Sequence, residues 1–176
     1  MKFAPIAAGL LLLAAAAPAA AEVKATWTAG IRVENRVVIA APPDRVYAAL
    51  GQIGKWWDDE HTYTGDAANM SIALEPGACF CEKFAKGGGV KHGEVVLAWP
   101  GRTLRIDGAF GPLQDEGAAG TLTFQLKAVE GGTEVVQTYN AGGLRPEMVA
   151  AALLFDSVIG GQLQRLKSYV ETGKLS

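Results

Sequence analysis

Runs of lysine and arginine are missing from this chain, and its formal charge is −2. A mildly acidic body carries no electrostatic footprint for a phosphate backbone, which argues against a nucleic-acid partner. No basic cluster marks a membrane-surface patch either. Nucleotide signatures are also missing. Gly87-Gly88-Gly89 has no Lys-Ser/Thr after it and opens no helix, so it reads as a hairpin turn rather than a phosphate cradle. There is no dinucleotide fingerprint, and no cofactor is expected. Ser157 falls inside a helical stretch and not in a Gly-x-Ser-x-Gly elbow, so no hydrolase nucleophile is signalled. Internal repeats and a second hydrophobic unit are absent, and 176 residues are enough for one domain with a proper core.

The N-terminus has the form of a targeting segment. Lys2 gives a positive start, residues 6–17 form a short apolar run, and Ala19-Ala20-Ala21 supplies small residues before Glu22. Residues 1–21 are read as a signal peptide and 22–176 as the mature domain. Residues 3–21 are nearly long enough to span a bilayer but are alanine-rich and broken by Pro5, Gly9 and Pro18. The expectation is therefore export, most simply to a bacterial periplasm, with no stable membrane span after cleavage.

Residues 22–30 read as a leader onto the first strand. Along 32–40, Val33, Asn35, Val37 and Ile39 share one face and Glu34, Arg36 and Val38 the other, the alternation of a half-buried strand. Pro42-Pro43 breaks it, and Asp44 is placed to cap a helix starting at Arg45, with Val46, Tyr47, Ala49 and Leu50 as its apolar face. A second short helix or turn follows to Trp57, then a polar loop over 58–69. Strands are expected at 70–74, 78–84, 90–99, 103–110, 121–129 and 133–141, joined by turns at Pro76-Gly77, Gly87-Gly88-Gly89, Pro100-Gly101 and Gly131-Gly132.

The last stretch, 146–172, reads as one long amphipathic helix. Met148, Ala152, Phe155, Ile159, Leu163, Leu166 and Val170 recur in steps of three and four, with Pro146 suited to the first turn and Gly173 to the position past the end. Such a stripe needs a sheet to cover it. The expected fold is α+β: a curved antiparallel sheet of six or seven strands around one long C-terminal helix, with two short helices after the first strand. Gly160-Gly161 sits mid-helix at about 1 kcal/mol per glycine. It either permits close backbone packing or leaves room for a ligand, in which case Gly161 borders a cavity.

Cys79 and Cys81 are the only cysteines. Alternation puts both on one strand face, with alpha carbons about 6.5 Å apart in an extended strand. That spacing leaves three readings: packed thiols, a disulfide, or a metal site completed by His92. The last matches no established zinc or copper signature. Trp56-Trp57-Asp58-Asp59-Glu60-His61 is the densest polar-aromatic cluster. It is either a buried tryptophan pair before a solvated loop, or a pocket mouth where Asp59, Glu60 or His61 supplies contacts. His61 suits acid-base work near neutral pH but has no evident nucleophile partner. Asp107 and Tyr139, on apolar strands, are further candidate polar groups, and Trp99 and Phe155 are read as core or cavity wall.

The run Val38-Ile-Ala-Ala-Pro-Pro-Asp-Arg-Val-Tyr-Ala-Ala-Leu50 resembles the opening of the START-like, polyketide-cyclase (SRPBCC) superfamily. Trp56-Trp57, His61-Thr-Tyr-Thr-Gly-Asp66 and Gly77-Ala-Cys-Phe-Cys-Glu82 resemble its exported bacterial members, and the likeness covers 33–172. It implies a helix-grip fold shared with birch-pollen allergens and heat-shock ATPase activator domains, and a hydrophobic cavity between long helix and sheet. It does not fix an activity. The leading expectation is a monomeric or weakly dimeric binding protein for a small hydrophobic ligand, held by Trp56, Trp57, His61, Trp99, Asp107, Tyr139, Phe155 and Gly161. The second is a cyclase, dehydratase or hydrolase using His61 with an acidic residue, or Asp107 with Tyr139. The third is a protein-interaction module resembling the heat-shock ATPase activators.

Overall fold

The computed structural model describes residues 21–174. The expected signal peptide, 1–21, lies outside them except for Ala21. The chain forms one open antiparallel sheet of eight strands and a long C-terminal helix. In chain order the elements are β1 (Ala21–Trp27), β2 (Gly30–Ile39), α1 (Pro43–Leu50), β3 (Met70–Ser71), β4 (Cys79–Lys83), β5 (Gly89–Trp99), β6 (Thr103–Asp107), β7 (Ala119–Val129), β8 (Gly132–Gly142), α2 (Pro146–Ala150) and α3 (Ala152–Thr172). The spatial order is β1-β2-β8-β7-β6-β5-β4-β3. Every neighbouring pair runs antiparallel, and all but β2–β8 are consecutive in sequence.

Eight strands replace the expected six or seven because β1 occupies the segment read as a leader. It is an edge strand, exposed at almost every described side chain, so it lacks the alternation that betrays a half-buried strand. The helix after β2 begins at Pro43 rather than Arg45. Pro42 is the N-cap, no side chain caps the end, and Asp44 lies in the first turn. Proline suits that position because its fixed φ fits the helix and its missing N–H would be unpaired there anyway. Short 3₁₀ turns at Ile53–Lys55, Asp59–His61 and Ala67–Asn69 carry the chain from α1 to β3. Gly87 and Gly88, with φ of 95° and 80°, close the β4–β5 hairpin in the left-handed region open to glycine.

The long helix is divided at Ala151, where ψ is 12°. Ala150, Ala151 and Ala152 are all good helix formers, so the local sequence gives no sign of a break. Packing differs across it: α2 has no buried residue, whereas α3 buries Ala152, Ile159, Leu163, Leu166 and Val170 from the expected stripe. The larger aliphatics among them each contribute about 1.5–3 kcal/mol by leaving water. Met148 and Phe155 are half-buried against the same core. The stripe lies across β1, β2 and β8. Their inward residues include Ile31, Val33, Val37, Ile39, Val135 and Ala141. Leu104, Ile106, Leu122 and Phe124 continue this concave face on β6 and β7. Among the described residues no helix is long and apolar enough to cross a membrane.

Candidate functional site

Two polar features interrupt the concave face. The first lies under α3. Asn35 of β2 and Gln137 of β8 stand directly across from one another, on the inward positions between valines and Tyr139. Asn35 Nδ2 donates to Asp156 Oδ1 at 3.3 Å. Burial pushes the Asp156 carboxyl above its ordinary value, against the pull of Asn35. Gln162, nearly two turns further along α3, accepts the backbone N–H of Asp58 at 2.9 Å. Gln137 is fully buried, and neither its Oε1 nor its Nε2 has a partner among the described residues; Gln162 Nε2 is likewise unpaired. A buried amide left unsatisfied costs about 1–3 kcal/mol per group.

The second feature is a carboxylate–imidazole pair. Glu82 of β4 is 1% exposed and accepts the N–H groups of Tyr63 at 3.0 Å and Thr64 at 2.6 Å. His92 Nε2 lies 3.1 Å from the same carboxylate. Burial alone would raise the Glu82 pKa, but these hydrogen bonds together hold it below the usual carboxylate range. Burial pulls the His92 imidazole below its ordinary value, against the bond and charge of Glu82. An ionised carboxylate can only accept, so the hydrogen-bond network assigns the ring proton to Nε2 and leaves Nδ1 as a lone pair.

Aromatic rings connect the two features. Trp56–Trp57, Trp57–Phe80, Phe80–His92, Phe80–Phe110 and Phe110–Tyr139 follow at centroid distances of 5.7, 5.5, 5.1, 5.9 and 5.1 Å. Tyr139 is buried, and its hydroxyl accepts the Phe110 N–H at 3.3 Å and donates to the Gly108 carbonyl at 3.4 Å. Burial pushes its pKa up to about 12, so it is a neutral phenol at any physiological pH.

The expected site residues separate. Trp56 and Trp57 are buried, with indole N–H groups bonded to the carbonyls of Ala49 at 2.8 Å and His61 at 3.1 Å, so they wall the core rather than a pocket mouth. His61 is exposed beyond them. Asp58 and Asp59 accept the backbone N–H groups of Glu60 and Ala67, which makes them loop-fixing groups. Asp107 is exposed, out of phase with the buried Leu104 and Ile106 of β6, so it does not meet the inward Tyr139. Trp99 is 53% exposed instead of lining the core, and the Arg102 guanidinium sits 4.8 Å over its ring. Phe155 stays half-buried against the core. Gly161 faces open space, so the room left by its missing side chain is not between helix and sheet.

Cys79 and Cys81 form a disulfide, with alpha carbons 5.3 Å apart rather than the spacing of an extended strand. The β4–β5 register slips between Phe80 and Cys81, and such an irregularity draws alternate residues together. His92 turns inward to Phe80 and Glu82, out of step with the two cysteines, so the metal reading loses its third ligand. No group of three or more potential ligands converges among the described residues. Sequence reasoning missed Glu82, Gln137, Asp156 and Gln162. Their signal is a polar residue on an otherwise apolar phase, as Gln137 sits between Val135 and Tyr139.

Grooves open elsewhere on the described surface. One of about 550 Å³ lies by Trp99, Arg102 and Lys127, and one of about 410 Å³ by Lys91, His92, Asp107 and Gln114. Neither is lined by α3. The helix–sheet interface is closed at Gln137, whose polar atoms have no accessible surface.

Residues 30–171 match the family described as polyketide cyclase / dehydrase and lipid transport. No curated protein matches the chain. Among solved structures, a Mesorhizobium loti protein is similar over 82% of this chain and 99% of its own, with 19% identity and a TM-score of 0.60. The Aha1 dimer from Colwellia psychrerythraea is similar over 81% of this chain and 98% of its own, with 22% identity and a TM-score of 0.53. The di-domain ARO/CYC protein StfQ of the steffimycin biosynthetic pathway is similar over 82% of this chain and 51% of its own, with 14% identity and a TM-score of 0.54. At these identities the likeness is one of fold.

Proposed function

The chain belongs to the polyketide cyclase / dehydrase and lipid-transport family, and from that premise we propose that it is an exported binding protein for a small apolar or amphipathic molecule held between α3 and the sheet. The observation that carries this reading is the continuous aromatic wall from Trp57 through Phe80 and Phe110 to Tyr139 on the concave face. A mostly apolar lining with a few placed polar groups suits a small-molecule site. Because the interface is closed at Gln137, a guest enters by displacing part of the covering helix. The segment before and after Ala151 is the most weakly held: α2 buries nothing, and Leu153 and Leu154 are 75% and 64% exposed. Export is supported by the form of the N-terminus and by the Cys79–Cys81 bridge, which suits an oxidising compartment.

The test is titration of delipidated protein with the uncharged probe N-phenyl-1-naphthylamine, read by fluorescence. Saturable binding of one probe per chain, lost in Phe110→Arg, is the expected result. Absence of saturable binding overturns the reading. Export is checked by the mass of the mature chain in a periplasmic fraction. A start at Glu22 is expected, and a chain retained in the cytosol with Met1 intact overturns it.

A second reading, an enzyme of the cyclase or dehydratase type, is favoured by one observation. Glu82 orients His92 as a general base is oriented, by a buried carboxylate on the far ring nitrogen. StfQ bears an ARO/CYC designation on the same fold. Turnover of a polyketide-like substrate that disappears in His92→Gln would establish it in place of pure carriage.

A further inference from the structure

We infer that Gln137 is the seat of the ligand's polar head, and that this head is an uncharged amide rather than a carboxylate. The inference rests on the binding reading above and names the chemistry of its guest. Gln137 lies at the middle of β8, wholly buried, with donor and acceptor both unpaired among the described residues. Its strand neighbours are no help. Phe124, across on β7, is apolar, and Asn35, across on β2, gives its Nδ2 to Asp156. A primary amide can satisfy Gln137 at both atoms at once, because each amide carries an N–H₂ and a carbonyl in one plane.

A carboxylate head fits badly. It offers acceptors only, leaving Gln137 Oε1 unpaired. It would also need a cation, and the buried polar residues of the described chain contain no lysine or arginine. Among the described residues His92 is the one buried basic side chain, and Glu82 already holds it. Asp156 is linked to the seat through Asn35, so an anionic head would set a second desolvated carboxylate near that carboxyl. Above the seat is Gly160, whose missing side chain brings α3 down onto Asn35. The head is thus reached by lifting α3 from its weakly held start around Ala151, about two and a half turns before Gly160.

The test compares two probes of equal chain, oleamide and oleate, by calorimetry on the delipidated full chain at about pH 8, where the fatty acid is ionised. The expected result is binding of oleamide about tenfold or more tighter than oleate, with Gln137→Leu losing that preference. Gln137→Leu removes an unpaired amide, so it is expected to melt higher than the parent, and folding does not confound the comparison. If oleate binds as tightly as oleamide, or if Gln137→Leu leaves the preference intact, the amide seat is overturned while the binding reading stands. If neither probe binds, both are overturned.

Discussion

Gly160 of α3 faces Asn35 of β2 so closely that a Cβ on Gly160 would lie 2.6 Å from the Asn35 Oδ1, whereas a Cβ on Gly161 would meet nothing within 4 Å. The two adjacent glycines therefore have opposite worth. At Gly161 the helix pays glycine's entropy with no packing return, so Gly161→Ala is expected to stabilise the fold by about 1 kcal/mol. At Gly160 the same change pushes α3 off β2 or turns Asn35 away from Asp156, and a loss of about 1–3 kcal/mol is expected from overpacking. Urea denaturation of the two variants checks this. Equal effects in the two would mean that α3 does not approach β2 as described.

The Glu82–His92 pair makes stability depend on pH in a definite direction. The folded His92 value lies below the ordinary 6.5, so on acidification the unfolded chain takes up this proton first. This contribution is complete above the ordinary value and is lost as pH falls from there towards the folded one. Glu82, also held low, acts in the same direction at more acid pH, below its ordinary 4.5. Asp156 acts oppositely: its raised value favours the folded chain in acid and weakens that contribution as pH rises through it. The melting temperature is expected to fall between about pH 7 and pH 5, and His92→Gln is expected to flatten that slope. Nitrogen-15 spectra of the ring are expected to show Nε2 protonated and Nδ1 bare near neutral pH. Parallel profiles for parent and variant would contradict the linkage.

Periodicity made part of this molecule readable and concealed the rest. The α3 stripe from Ala152 to Val170 and the inward phase of β2 repeat with the spacing of their elements, and both are buried as expected. β1 escaped because its described side chains, Val23 apart, are exposed and leave no phase to detect. Trp99 looked like core because aromatics in strands usually are, but β5 ends there and its ring is covered by Arg102 rather than by another layer. The polar groups were the hardest. Alternation shows that Gln137 faces inward; whether anything meets its amide depends on Asn35, Phe124 and α3, which come from distant parts of the chain. His61 was conspicuous in sequence, yet His92 has the partner, because Glu82 reaches it through the pairing of β4 with β5.

The Cys79–Cys81 bridge encloses a single residue, so it removes little freedom from the unfolded chain. Loop-closure entropy gives it about 1–2 kcal/mol. The pair Cys79→Ser, Cys81→Ser is therefore expected to fold and to lose no more than that in denaturant midpoint analysis. Alkylating reagent is expected to add mass to the parent only after reduction. Alkylation without prior reduction would show free thiols in place of the bridge.

Arg165 fixes the polar loop to the long helix. Its guanidinium donates to the carbonyls of Trp56 at 3.0 Å and Trp57 at 3.3 Å, and it stands 3.9 Å from the Asp58 carboxylate. From the neighbouring turn Gln162 accepts the Asp58 N–H, so two side chains of α3 hold the first residues after the tryptophan pair. Arg165→Met keeps the apolar stem and removes every donor. The expected cost is about 1.5–3 kcal/mol, the range for hydrogen bonds to a charged group. The loss is also local, because Trp56 remains packed and bonded to Ala49. Amide exchange is therefore expected to quicken over 58–61 while β2 and β8 keep their protection. A uniform rise across the sheet would mean that Arg165 supports the whole core rather than this loop.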